Sequence, residues 1–194
     1  MCSRFELKAD PAALMRRFGL TVPPPWPLGA ERRPTDPVLV IGKDGGDLLP
    51  WGLTVEWQAA LLINARAETL AVKPTFRPLL AGGRVLIPAS AWWEWQVAGR
   101  GRLKTRLALA GEPLFALAGL SDGRRVVIVT CAPADDLAAV HDRMPVVLPP
   151  EAEAVWIDGA RPFDAVAPLL RPHAGPFTIT AEPGKPSAQG DLFG

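Results

Sequence analysis

The chain has no tyrosine, only two cysteines and only two histidines among its 194 residues. Two cysteines are too few for a disulfide-stapled scaffold and suit a reducing compartment. Cys2, Cys131, His141 and His173 fall at no metal-ligand spacing, which argues against a zinc centre. Neither a Walker-type phosphate loop, nor a Gly-x-Gly-x-x-Gly turn, nor a Gly-x-Ser-x-Gly elbow occurs, so most nucleotide-dependent enzymes and α/β-hydrolases are excluded. No basic segment precedes an apolar run at the start, so no secretory leader is expected. The apolar runs fall far short of the ~20 residues that a spanning helix needs. A cytoplasmic protein is the expectation.

Charge is also nearly absent as a signal. The net value is +1, which gives no global attraction to a polyanion. Its distribution is uneven: residues 1–106 carry a net +6 and residues 107–194 a net −5. A basic patch built from the first half is therefore compatible with the composition.

What is plentiful is proline, glycine and tryptophan, at 22, 18 and 7 residues. This composition suggests many short elements joined by tight turns. Asp10, Pro11 and Gly19 in "DPAALMRRFGL" supply an N-cap, a first helical residue and a C-terminal stop. After an irregular proline-rich stretch the pattern turns to strand: "VLVIG", "ALLINARAET", "RVLIPASAWWEW", "GRLKTRLALAG", "PLFALAGL" and "RRVVIVTCA". Short helices are expected in "ADDLAAVHD", capped by Asp135, in "PPEAEAVWID" and in "PFDAVAPLL". The reading is one α+β domain over residues 1–180, a curved, mostly antiparallel, barrel-like sheet with short peripheral helices. A tail follows over residues 181–194.

The first five residues, "MCSRF", raise a chemical point. Loss of Met1 would leave Cys2 with a free amine and a free thiol two carbons apart, a pair of nucleophiles found nowhere else in a polypeptide. Other polar residues stand in apolar surroundings. Asn64 is either a satisfied strand-end amide or a functional one. Glu94, between Trp93 and Trp95, is either a solvated outward residue or an inward acid with a raised pKa. His141 before Pro145 is either structural or catalytic. Arg100, Arg102, Lys104 and Arg106 would line one strand face, as a wet surface or a phosphate-tracking ridge. Trp51, Trp92, Trp93 and Trp95 could stack on bases or fill the core. Cys131 reads as a buried strand residue and His173 as surface.

"MCSRF", "LINARAET", "WWEW" and "VHDRMPVVLPPE", in that order over residues 2 to 156, together resemble the SRAP family, the SOS response-associated peptidases or abasic-site processing proteins. The resemblance implies a compact α+β fold and a cofactor-free protein, with no metal, that traps abasic sites in single-stranded DNA during the damage response. It implies a thiazolidine crosslink through Cys2, with associated lyase or self-processing chemistry. By the family pattern the catalytic set is Cys2, Asn64, Glu94 and His141. Arg4 and Arg66 would hold phosphates, Thr130 would line the pocket, Trp51 would serve pocket or core packing, and Pro34 is retained in the DNA-facing segment. The protein would be a monomer, nucleoid-associated when bound to DNA.

Three stretches depart from the family: "ERRPTDPV" where Arg-Tyr-Asn-x-Ala-Pro is usual, "IPASA" before "WWEW", and the C-terminal "FTITAEPGKPSAQG". They bear on the outer DNA-binding surface rather than on the trap. Separately, "QGDLF" at Gln189–Phe193 resembles the peptide by which bacterial repair proteins dock on the sliding clamp. Two other classes stay open on sequence alone: an N-terminal-nucleophile peptidase or hydrolase using Cys2, and a non-catalytic single-strand-binding module.

Overall fold

The computed structural model describes residues 2–22, 31–98 and 101–182; Arg100 and the Gln189–Phe193 peptide lie outside them. Strand β1 (Phe5–Glu6) leads into helix α1 (Pro11–Phe18). As the residue types require, Asp10 Oδ1 accepts from Ala13 N at 2.8 Å, and Gly19 closes the helix at φ 64°. β2 (Glu31–Arg32), β3 (Pro37–Gly42) and β4 (Gly45–Pro50) follow, the last two forming a hairpin. A small hairpin, β5 (Leu53–Val55) and β6 (Gln58–Leu62), hands the chain to β7 (Asn64–Arg66). A single 3₁₀ turn (Ala67–Thr69) and helix α2 (Leu79–Gly82) lead to β8 (Arg84–Ala89), β9 (Ala91–Ala98), β10 (Gly101–Leu109), β11 (Phe115–Ser121) and β12 (Val126–Cys131). The chain ends in β13 (Met144–Pro145), β14 (Val147–Leu148), helix α3 (Pro150–Ile157), helix α4 (Phe163–Val166) and β15 (Phe177–Ala181).

These strands form two main sheets. The first runs β15-β10-β9-β1-β2; the second runs β13-β12-β11-β8-β3-β4, with β14 on β11 and β7 on β12. Pairing is antiparallel throughout the named strands except for β7 beside β12. The fold is therefore α+β and mostly antiparallel as expected, but the sheets stay open rather than closing into a barrel. The change of sheet happens at Ser90: β8 belongs to the second sheet and β9 to the first. Ser90 fixes that corner by donating its N–H to Glu6 O (2.8 Å) and accepting Lys8 N–H on Oγ (2.9 Å).

β8, β11 and β12 are buried along their whole length, which is why they read as continuous apolar runs rather than alternating ones. Between the sheets lie Trp92, Phe115, Leu117, Ile128 and Leu107, with Trp156 of α3 packed under β8 through Nε1–H to Val85 O at 3.1 Å. Arg84 is buried for a structural reason. Its guanidinium donates to the carbonyls of Leu80, Trp156, Asp158 and Arg161, satisfying chain ends after α2 and α3 that have no helical partner.

Three local expectations change. "ADDLAAVHD" forms one 3₁₀ turn (Asp135–Leu137), with Ala134 rather than Asp135 at the cap position. The segment continues as turns rather than helix, with His141 N–H donating to Leu137 O at 3.1 Å before the chain returns at Met144. β15 reaches Ala181, one residue into the expected tail. His173 is half-buried against Phe177, with ring centroids 5.9 Å apart. No helix among the described residues is long and apolar enough to cross a membrane.

Candidate active site

Cys2 is fully buried, three residues before β1 begins at Phe5. The β1 backbone is held on both sides: Phe5 pairs with Trp92 and Arg32, and Trp93 donates its N–H to Arg4 O at 2.9 Å. That anchoring matters because a chain end otherwise frays. Asn64 closes the third side. Its Nδ2 donates to Cys2 O at 2.7 Å, while its Oδ1 is buried with no hydrogen-bond partner, an acceptor left facing the same space.

Why Asn64 stands there follows from the residues around it. β7 runs parallel to β12 with Asn64 opposite Ile128, Ala65 opposite Val129 and Arg66 opposite Thr130. Trp51 sets the register from beneath: its fully buried indole donates Nε1–H to Ile63 O at 2.8 Å, and its ring packs edge-on to Phe5 at 5.3 Å. Trp51 thus joins the two segments that meet at the site, the one carrying Cys2 and the one carrying Asn64. The next residue, Gly52, has φ 117°, and a Cβ there would meet Leu61 at 3.0 Å, so the turn after Trp51 requires glycine.

Glu94 arrives from β9. Because strand residues alternate, Trp92 and Glu94 point to one face and Trp93 and Trp95 to the other; pairing of Glu94 with Thr105 and of Trp92 with Leu107 fixes the inward set. Glu94 is 1% exposed. Burial in this apolar wall pushes its carboxyl up to about 7. Burial pushes the Cys2 thiol far above its ordinary value, and the Glu94 charge adds to the effect. The resting thiol is neutral.

His141 faces Glu94, Nε2 to Oε2 at 3.6 Å. Its loop is held by Gln96 of β9, whose side chain donates to Ala139 O at 2.8 Å. Burial lowers the imidazole pKa. Two neighbours compete for Nδ1: Arg143 N–H at 3.0 Å requires a lone pair there, whereas the Asp142 carboxylate at 2.7 Å favours a proton. The backbone donor is fixed and the Asp142 side chain is 80% exposed, so the resting proton belongs on Nε2, toward Glu94.

The other residues named from sequence are distributed around this centre. Thr130 is fully buried under Arg66, and Arg66 itself is exposed. Arg4 lies on the opposite face of the first sheet, its guanidinium 5.1 Å from the Trp95 ring centroid and 3.1 Å from Glu31. Pro34 is half-buried in the loop between β2 and β3, which meets Trp51 where Thr35 N–H donates to Trp51 O at 2.8 Å. Trp51 and Thr130 have no exposed surface and act from below.

The basic stripe is not a free ridge. Lys104 meets Glu31 and Glu182 at 2.5 and 2.9 Å, and Arg106 meets Glu6 at 2.5 Å.

One contributor was not evident from sequence. Arg143, in the "HDRMP" segment, makes a two-pronged pair with Glu68 at 2.7 and 2.9 Å and donates to Thr130 O at 2.7 Å, so it locks the 3₁₀ turn after Arg66 to β12. Trp57, flanked by Glu56 and Gln58, is 66% exposed at the turn between β5 and β6. Among the described residues no group of three or more His, Cys, Asp or Glu is placed to hold a metal ion.

Residues 1–182 match the family model described as SOS response associated peptidase (SRAP). The chain belongs to the SRAP family. It is 32% identical to the abasic site processing protein YoqW of Bacillus subtilis, over 89% of this chain and 88% of that protein. It is also 32% identical to YedK of Escherichia coli, another protein named for abasic site processing, over 81% and 79%. A protein from Bacteroides thetaiotaomicron, 20% identical, superposes with a TM-score of 0.82 over 93% of this chain and 91% of that one. A phage-related protein from Bordetella bronchiseptica, 26% identical, gives 0.78 over 94% and 95%.

Proposed function

We propose that this SRAP protein processes abasic sites, joining its N-terminal Cys2 covalently to the lesion in single-stranded DNA. The observation that carries this reading is the convergence of Asn64, Glu94 and His141 on Cys2, above all the 2.7 Å Asn64–Cys2 hydrogen bond next to a buried carboxyl whose pKa is about 7. The names of the relatives agree with it.

The chemistry follows from the groups present. Once Met1 is removed, the Cys2 amine, with an ordinary α-amine pKa of about 7.7–8.0, is partly neutral near physiological pH. It attacks the aldehyde of the ring-opened sugar, and the carbinolamine loses water to give a protonated imine. The neutral thiol then adds to the imine carbon: the C–S bond forms, the thiol proton departs, and the imine electron pair returns to nitrogen. The product is a five-membered thiazolidine, which a lysine could not form. Glu94 can give a proton to the departing water and take one from the thiol. His141 carries protons in ring opening, and Asn64 holds the Cys2 backbone and offers Oδ1 to the amine or sugar. Arg66 and Arg4 hold flanking phosphates, and the exposed Trp57 is available to stack on a base.

The test uses the mature protein, its Met1 loss checked by intact mass, and an abasic-site oligonucleotide. A heat-stable band shift that vanishes in Cys2→Ala is expected. Retained Met1 would rule out the thiazolidine, and peptide cleavage without a shifted band would favour the N-terminal-nucleophile hydrolase instead. The Gln189–Phe193 peptide adds a docking proposal resting on sequence alone: removing residues 189–194 should weaken binding to a bacterial sliding clamp, and unchanged binding dismisses it.

A further inference from the structure

The outer face of the first sheet carries a charge cluster of which the proposed function uses only Arg4, for a flanking phosphate. Glu31 sits at its centre, bridging two cations from two directions: Oε2 lies 3.1 Å from Arg4 Nη1 and Oε1 lies 2.5 Å from Lys104 Nζ. Both cations rest on aromatic rings, Arg4 on Trp95 at 5.1 Å and Lys104 on Trp93 at 4.6 Å. Glu182 and Glu6 complete the set on Lys104 and Arg106, so within the cluster three cations meet three carboxylates. The side chains of Arg4, Glu31 and Lys104 are 25%, 29% and 22% exposed, within reach of a ligand. The Arg4 Nε is buried and has no hydrogen-bond partner, so that guanidinium has a donor to spare.

One anion with two oxygens on two cations is the arrangement a phosphodiester makes with its non-bridging oxygens. The strand that delivers it is short. β2 is two residues long and ends the first sheet among the described strands, pairing with β1 through Glu31 with Glu6 and Arg32 with Phe5.

We propose that Glu31 is a built-in phosphate surrogate, occupying between Arg4 and Lys104 the place that a backbone phosphate of single-stranded DNA takes on binding. This rests on the reading that single-stranded DNA is the partner. The exchange replaces one anion by another, so it releases fewer counterions than a bare pair of cations would. The protein then presents a charge-balanced cluster to nucleic acid in general, and binding here depends on the strand being held elsewhere, at the abasic site.

The test uses undamaged single-stranded oligonucleotide and a Cys2→Ala background, so that no covalent step enters. Glu31→Gln should tighten binding by up to about tenfold, the value of two partly exposed ion pairs. It should also steepen the log–log salt dependence by up to about 1.4, near 0.7 for each freed cation. Adding Lys104→Ala to Glu31→Gln should bring both measures back toward the parent. Unchanged or weaker binding by Glu31→Gln, with or without a drop in melting temperature, overturns the proposal and leaves the cluster as a sheet brace. If the parent and the variant both fail to bind the oligonucleotide, the single-strand reading fails and this site with it. If Glu31→Gln binds tighter while no abasic crosslink forms with intact Cys2, the surrogate stands and the trapping reading falls.

Discussion

Strand β9 puts two unlike surfaces one residue apart. Trp92 and Glu94 face inward toward Cys2; Trp93 and Trp95 face outward under Lys104 and Arg4. Each face has a carboxylate beside an indole, yet the carboxylates end up in opposite states. Glu94 is enclosed and burial lifts it to about 7. Desolvation pushes Glu182 up, but hydrogen bonds from Lys104 and from Trp93 Nε1, with the charges of Lys104 and Arg106, together outweigh it and hold the carboxyl below its ordinary range. The residue type is the same; the local dielectric and the nearness of a cation decide whether it exchanges protons near neutrality or stays a fixed charge. The inner face is thereby fitted to chemistry and the outer face to holding charge.

The largest break in this comparison comes from removing the nucleophile. Cys2→Ala should abolish the heat-stable adduct while leaving non-covalent binding to undamaged single-stranded DNA within about twofold, since no outer-face group is touched. A parallel loss of both would show that the two faces are not separable.

Removing the scaffold between them comes next. Trp51→Ala deletes a fully buried indole that contacts Phe5 and holds Ile63, and should cost about 3–5 kcal/mol in denaturant unfolding. Adduct formation should fall by more than the folded fraction does, because Cys2 and Asn64 lose their common support. A loss under 1 kcal/mol would mean that the core repacks and that Trp51 does not set the register.

Glu94→Gln sharpens the contrast through pH. The folded pKa of Glu94 is raised from 4.5 to about 7, so the folded state binds this proton more tightly than the unfolded chain. Its stabilising contribution is therefore complete below about pH 4.5 and is lost as pH rises through 7, on the order of 3 kcal/mol in all. The glutamine variant should lose correspondingly less stability between pH 5 and pH 8. Crosslinking by the parent should rise with pH as the amine deprotonates and decline above about 7 as Glu94 loses its proton; the variant should be slower by roughly 10²–10⁴ and keep only the rising limb. Matching pH profiles would remove Glu94 from proton transfer.

Much of this was legible in the residues themselves. Asp10, Pro11 and Gly19 specified α1 to the residue because capping is local chemistry. The β-rich core was legible because fully buried strands are continuous apolar runs. The face on which Glu94 lies was not, since alternation gives two faces without saying which one is inside; that needed the register with β10 and the β1 segment on its other side. The parallel pairing of β7 with β12, which sets Asn64, joins residues more than sixty positions apart and leaves no local trace. The stripe of Arg102, Lys104 and Arg106 alternated as expected, but the pairing of Lys104 and Arg106 depends on Glu6, Glu31 and Glu182 from three other segments. Pairings made by the fold were the part that sequence patterns could not carry.

The smallest expected effect on the fold belongs to Trp57. It is 66% exposed at the turn between β5 and β6, so Trp57→Ala should change stability by no more than about 0.5 kcal/mol. Single exposed apolar residues are common and by themselves mean little. This one sits at the turn of the hairpin whose return strand, β6, leads to Asn64 at the start of β7, so single-stranded DNA running along that hairpin would meet its ring. Base–aromatic stacking is worth about 1–3 kcal/mol, so affinity for single-stranded DNA should fall at least fivefold, with the salt slope unchanged because no cation is lost. Glu31→Gln is expected to move the salt slope and Trp57→Ala to leave it alone. If both variants alter that slope alike, the outer face and the hairpin are not acting through charge and stacking respectively, and the division of labour drawn between them fails.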